Sequence, residues 1–211
     1  MAKNNFHDKN LKMVQLAVLA ATMVVLQIAV TLLVRVGAVA PTLALIPLVI
    51  GSAALGVKAG VVLGTLFGAI AYICGLTNLD TFTNLMITYK PFETAMICIL
   101  KAVLAGVISA LVFKFVMRIS KKKLFPAALA SSVIAPIVNT AVYVLGMALF
   151  FRELVPGYTF TDSDAIWVVI GSVFMIIITN FIMEVIVTGI CSPIVMTALS
   201  KNKEFKKMLF K

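Results

Sequence analysis

Three polar side chains fall inside runs of apolar residues: Lys101, Asn139 and Glu184. A charged or amide group within a membrane span is expensive, and by default it marks function. A lysine offers a point charge to an acid, and an asparagine offers both donors and an acceptor. Tyr143 follows Asn139 by four residues, which puts the two on one face of a helix. This set suits the capture of a small polar solute, with Lys101 against an acid group and Asn139 and Tyr143 as hydrogen-bonding partners. Snorkelling of Lys101 and a simple helix-to-helix bridge by Asn139 are the structural alternatives. Catalysis fits poorly. The one histidine, His7, lies in the polar N-terminal stretch, which leaves no histidine metal site or Ser-His-Asp triad for the rest of the chain. Cys74, Cys98 and Cys191 are widely spaced and read as small apolar packing residues. No nucleophile pair or metal cluster stands out, so no enzyme, cofactor or metal is expected.

The elements that carry these residues follow from composition. Of 211 residues, 62% are hydrophobic and only 12% charged. Soluble domains have about 45–50% apolar and about 25% charged residues. A chain this small cannot enclose that much apolar surface, which excludes a soluble fold, and disorder needs low hydrophobicity. The sequence therefore predicts an all-α integral membrane protein, a compact bundle of six spans at 14–34, 39–55, 57–75, 92–117, 125–151 and 165–190. The second is short and interrupted by Pro41 and Pro47, so an irregular or tilted element is expected there. The flanks are a cytoplasmic tail at 1–13 and a basic tail at 200–211, with the membrane domain spanning 14–199. Lys3, Lys9 and Lys12 before an apolar run resemble a signal peptide, with Ala38, Val39 and Ala40 as a cleavage motif. The run is longer than such a peptide's core, and Arg35 and Pro41 suit cleavage poorly, so it reads as a retained helix.

Six spans bring both termini to one side. Of the 18 lysines and arginines, fourteen then fall on that side, three (Arg35, Lys90 and Arg152) on the other, and Lys101 within a span. The termini are thus expected in the cytoplasm of a cell whose plasma membrane holds the chain. The net charge of +10 is mostly topology. Attraction to anionic membrane lipids accounts for Lys121, Lys122 and Lys123, and no nucleic-acid partner is expected.

Helical rise gives approximate depths. Lys101 comes out about 12 Å below the outer end of its span, Tyr143 level with it, and Asn139 one turn deeper. Glu184 comes out about 28 Å down, near the cytoplasmic surface, where Lys114 or Arg118 is its expected partner. Pro136 bends the wall beside Asn139. Two outer loops are expected as a lid: 76–91, with Asn84 and Lys90, and 152–164, with Glu153, Tyr158, Asp162 and Asp164. Gly56, Gly60, Gly64 and Gly68 recur every four residues and predict close helix packing, as do Gly106 and Ala110. Ala17 and Ala21, with Ala20 beside them, give the first span a flat face for packing inside the chain or for another subunit. No ATP-binding motif or ion-coupling pair is visible, so any transport must draw energy from partners.

Taken in order, these segments resemble the S component of an energy-coupling factor vitamin transporter. The likeness is carried by the alanine face, the segment from Thr42 to Gly51, Gly56 to Gly60, Lys90 to Phe92, and Ala135 to Thr140. It covers nearly the whole chain, and the branch is similar to the pantothenate type. The resemblance implies a membrane-embedded vitamin-binding subunit with an outward site built by helices four to six and loops, and Lys101, Asn139 and Tyr143 carried over by position as substrate-binding residues; Lys90 and Asn84 join them from their place in the expected outer loop. It also implies that Ala17, Ala20 and Ala21 dock on a transmembrane scaffold subunit driven by two cytoplasmic ATPases. Riboflavin, pyridoxine and folate stay open as ligands, although riboflavin and folate ask for more stacking than one Trp and four Tyr offer. A stand-alone secondary transporter is the alternative from another class, and a membrane enzyme or structural bundle a third.

Overall fold

A computed structural model describes residues 2–33, 42–151, 165–202, 205 and 209. The described chain is helical: α1 (Ala2–Leu33), α2 (Leu45–Leu55), α3 (Val57–Leu76), α4 (Thr81–Tyr89), α5 (Pro91–Ile119), α6 (Leu124–Phe150) and α7 (Ala165–Leu199). Five of these, α1, α3, α5, α6 and α7, are long and apolar enough to cross a bilayer. This is the architecture of a multi-pass membrane protein. Its outer surface agrees, since Phe92, Phe115, Ile119 and Met175 all point outward. In lipid those side chains are in their proper solvent.

The expected sixth span is reduced. Of 39–55, the described helix covers only Leu45–Leu55, about 16 Å of rise and half a bilayer. Pro47 falls in its first turn, where a missing N–H costs no helical bond. Arg35 and the proposed cleavage motif lie outside the described residues, as does the expected outer loop 152–164 with Arg152. The stretch expected as a tail before residue 14 is continuous helix with the first span from Ala2. At the other end α7 runs to Leu199, nine residues beyond the expected 190.

The glycine spacing becomes a backbone-to-backbone seam. A Cβ on Gly60 would lie 2.7 Å from the Gly106 carbonyl oxygen, one on Gly64 2.7 Å from that of Ala102, and one on Gly68 2.6 Å from that of Cys98. Nothing larger than hydrogen fits along this line, so α3 and α5 meet without side chains between them. Gly56 is different: at φ 87° it makes the turn from α2 into α3. The Ser52 and Ser109 hydroxyls bond at 2.9 Å and tie α2 to α5. Lys12, the α2–α3 corner, Lys114, Arg118, Lys121, Lys122 and Leu209 line one basic cleft. The start of α1 and the C-terminal tail therefore meet at the same end of the bundle.

Helix α1 is the peripheral element. Only 17% of its apolar window is buried, against 50% for α3 and α6. Met23, Gln27, Val30 and Thr31 form its inward stripe, while Val14, Ala17, Val18, Ala21 and Val25 face outward. Ala20 packs against the core around Leu45, Leu63 and Phe67. The two alanines spaced for a docking face are thus on the outside of this chain.

Candidate functional site

The expected lid over 76–91 is a helix held by an aspartate. Asp80 accepts from the Phe82 and Thr83 backbone N–H groups at 3.2 and 3.3 Å and from the Thr83 hydroxyl at 2.6 Å. A side-chain oxygen in that role satisfies donors the first helical turn leaves over, which is why α4 starts where it does. Asn84 and Lys90 anchor the same helix. The Asn84 amide donates to the Gly75 carbonyl at 2.8 Å, and the Lys90 ammonium donates to the Phe150 carbonyl at 2.8 Å. Neither faces the cavity described next. Their observed contacts fasten α4 to the C-terminal ends of α3 and α6.

Below α4 lies a polar pocket with about 50 Å³ of free space, and its open mouth brings the empty volume to about 630 Å³. It is lined by Lys101 from α5, Asn139, Thr140 and Tyr143 from α6, and Asn180 and Glu184 from α7. Gln27, Thr31 and Thr42 close it from the α1 side, and Asp80 and Thr83 from α4. Three of the five expected binding residues, Lys101, Asn139 and Tyr143, are therefore brought together. The Lys101 ammonium lies 4.6 Å from the centre of the Tyr143 ring, a distance at which the ring face attracts a cation. The Tyr143 hydroxyl donates to the Met86 sulfur at 3.3 Å, and its ring meets Phe82 at 6.5 Å. The cation, the tyrosine and the covering helix form one stack.

Glu184 departs from expectation. It is buried on this cavity, whereas Lys114 and Arg118, its expected partners, line the basic cleft at the end of the bundle. Depth explains the difference. Because α7 continues to Leu199, Glu184 is fifteen residues from the basic end, as Asn139 is from Leu124. Both come to about 22 Å, and Lys101 to about 27 Å. The Glu184 carboxylate accepts from Asn180, whose Nδ2 donates at 3.3 Å, and shares the cavity with Thr42 and Asn139. Lys101 acts on it electrostatically.

Polar groups also come from the N-terminal third, which the hydropathy pattern had passed over. Gln27 and Thr31, and Asn180 and Glu184, are pairs four residues apart inside apolar runs. That spacing was the available signal, since it marks a polar stripe on an otherwise apolar helix. Among the described residues the cavity is lined by one cation and two carboxylates, with hydroxyls and amides beside them. Such a set can orient a polar solute by charge at one end and hydrogen bonds at the other. Among the described residues no cluster of His, Cys, Asp and Glu is arranged to hold a metal ion. Cys74 and Cys98 are free and buried.

No family model matches the chain, and no curated protein matches it.

Proposed function

We propose that the protein is the solute-binding subunit of an ATP-driven importer of the energy-coupling factor kind, taking up a small water-soluble vitamin. The observation that carries this reading is the convergence of Lys101, Asn139 and Tyr143, from two helices, on one membrane-embedded cavity. A lysine held over an aromatic ring beside amides and hydroxyls is a fitting receptor for an acid with hydrogen-bonding groups. Pantothenate is the first candidate on that chemistry. Riboflavin, pyridoxine and folate are the other members of the class. In this reading the outward alanines of α1 meet a transmembrane scaffold subunit, and two cytoplasmic ATPases supply the energy.

The test is to purify the protein in mild detergent, release what it carries by denaturation and identify it by mass spectrometry. A stoichiometric vitamin is the expected result. Recovery of lipid alone, with no binding in titrations of the four vitamins, would sink the proposal.

One observation favours a second reading. Glu184 is a buried acid on the cavity, a feature of proton-coupled carriers. Uptake by liposomes containing this chain alone, with no ATPase present, would select a stand-alone secondary transporter.

A further inference from the structure

Three amides line the cavity, and two of them have their NH2 group committed to hydrogen bonds within the protein. Gln27 Nε2 donates to Thr31 Oγ1 at 3.4 Å, while the Thr31 hydroxyl gives its own proton to the Gln27 main-chain carbonyl at 2.7 Å. The Thr31 oxygen is thus an acceptor there, which fixes the amide's orientation. Asn180 Nδ2 donates to Glu184 Oε1 at 3.3 Å, and Asn139 lines the same cavity. What remains is three carbonyl oxygens: Gln27 Oε1, Asn139 Oδ1 and Asn180 Oδ1. All three are buried with no hydrogen-bond partner among the described residues. Their residues are at most 9% exposed. Buried polar atoms are nearly always bonded, so three unmet acceptors on one cavity are a demand for donors. The Glu184 carboxylate adds negative charge among them, and Lys101, the one cation lining the cavity among the described residues, is engaged with the Tyr143 ring.

We infer that the cavity takes a two-ended solute: a head carrying at least two N–H or O–H donors against Gln27, Asn139, Asn180 and Glu184, and an acid or other acceptor tail at Lys101. This rests on the proposed role as a solute-binding subunit, and it adds the orientation and the chemical class of the ligand. The head group decides selection. A site built to hydrogen-bond a donor rejects analogues lacking it by up to ~10⁴-fold, because its own acceptors are then stranded. A tail swap at Lys101 leaves those acceptors satisfied.

The test is isothermal titration of the full chain in detergent with defined probes. Pantothenate and biotin carry a carboxylate and a head with two donors; lipoate and nicotinate carry a carboxylate and no donor head. Pyridoxamine carries donors and no carboxylate. A donor-headed probe should bind, and the donorless acids should bind at least a hundredfold more weakly. Glu184→Gln and Asn180→Leu should each weaken the bound probe by tenfold or more, with a monodisperse elution profile reporting that the fold is kept. Should Asn180→Leu aggregate, Glu184→Gln alone decides, since it keeps the side chain's shape. Tight binding of lipoate or nicotinate, or unchanged affinity in Glu184→Gln, overturns the inference and leaves a solute-binding subunit standing. A co-purified solute without head donors does the same. No bound probe and no co-purified solute overturns both.

Discussion

The seam between α3 and α5 gives the sharpest quantitative test, through Gly64→Ala. The added Cβ would lie 2.7 Å from both the Ala102 carbonyl oxygen and Val103 Cα, whereas ordinary contact begins at 3.4 Å. The two helices must therefore part by about 0.7 Å, because neither neighbour is a side chain that can rotate away. Overpacking of this kind costs ~1–3 kcal/mol, and the better helix propensity of alanine returns up to about 1 kcal/mol. A net loss of roughly 1–2 kcal/mol is expected. Gly171 supplies the control, since a Cβ there meets nothing within 4 Å. Gly171→Ala should be neutral or gain up to about 1 kcal/mol. The assay is denaturant unfolding of the two variants and the parent in the same detergent, followed by circular dichroism. Lys101 adjoins Ala102 on α5, so solute affinity should fall in Gly64→Ala as well. If Gly64→Ala is as stable as Gly171→Ala, the close approach of α3 and α5 is wrong.

Three further outcomes are expected. Lys101→Met should weaken an acidic solute by more than tenfold in a binding titration, a loss of at least about 1.4 kcal/mol, while the protein stays folded and in the membrane; unchanged affinity removes Lys101 from the site. Ala17→Trp and Ala21→Trp enlarge an outward face, so the isolated protein should still bind solute while ATP-driven uptake with partner subunits collapses; uptake that survives leaves the docking idea without support. Asp80→Ala removes three accepted hydrogen bonds at the start of α4 and should cost ~1–2 kcal/mol locally; it should be read as faster amide exchange across Thr81–Tyr89 with α5 unchanged, and equal protection in both proteins would refute the capping role.

Hydropathy revealed the long helices because lipid demands a continuous apolar run with internally bonded backbone, a constraint written residue by residue. The glycine seam was legible for a similar reason, as a repeat of four can serve only one helix face. The grouping of Lys101 and Tyr143 followed from counting inward from the outer ends of their helices, which α5 and α6 keep to within a residue or so. Counting failed for Glu184, because the end of α7 is not announced by sequence: Pro193 lies inside the helix, which runs on to Leu199. Gln27 and Asn180 were missed because a single amide barely lowers the hydropathy of its run. Their role lies in contacts to Thr31 and Glu184 and in the oxygen each leaves over, which are properties of packing. Lys90 and Asn84 looked like binding residues by loop position and charge, yet their observed bonds go to backbone carbonyls at helix ends.

Helix α1 joins two properties in one rod. Its Gln27 and Thr31 form a wall of the cavity, and ten residues earlier its Ala17 faces away from the bundle. A continuous helix is stiff over that distance of about 15 Å. Anything that grips the outer face of α1 and tilts it therefore moves the cavity wall by leverage, with no need for a signal to thread through the core. In the proposed importer, release of the solute and attachment to a neighbour would then be one mechanical event. A flexible hinge engineered between residues 21 and 27 would uncouple them.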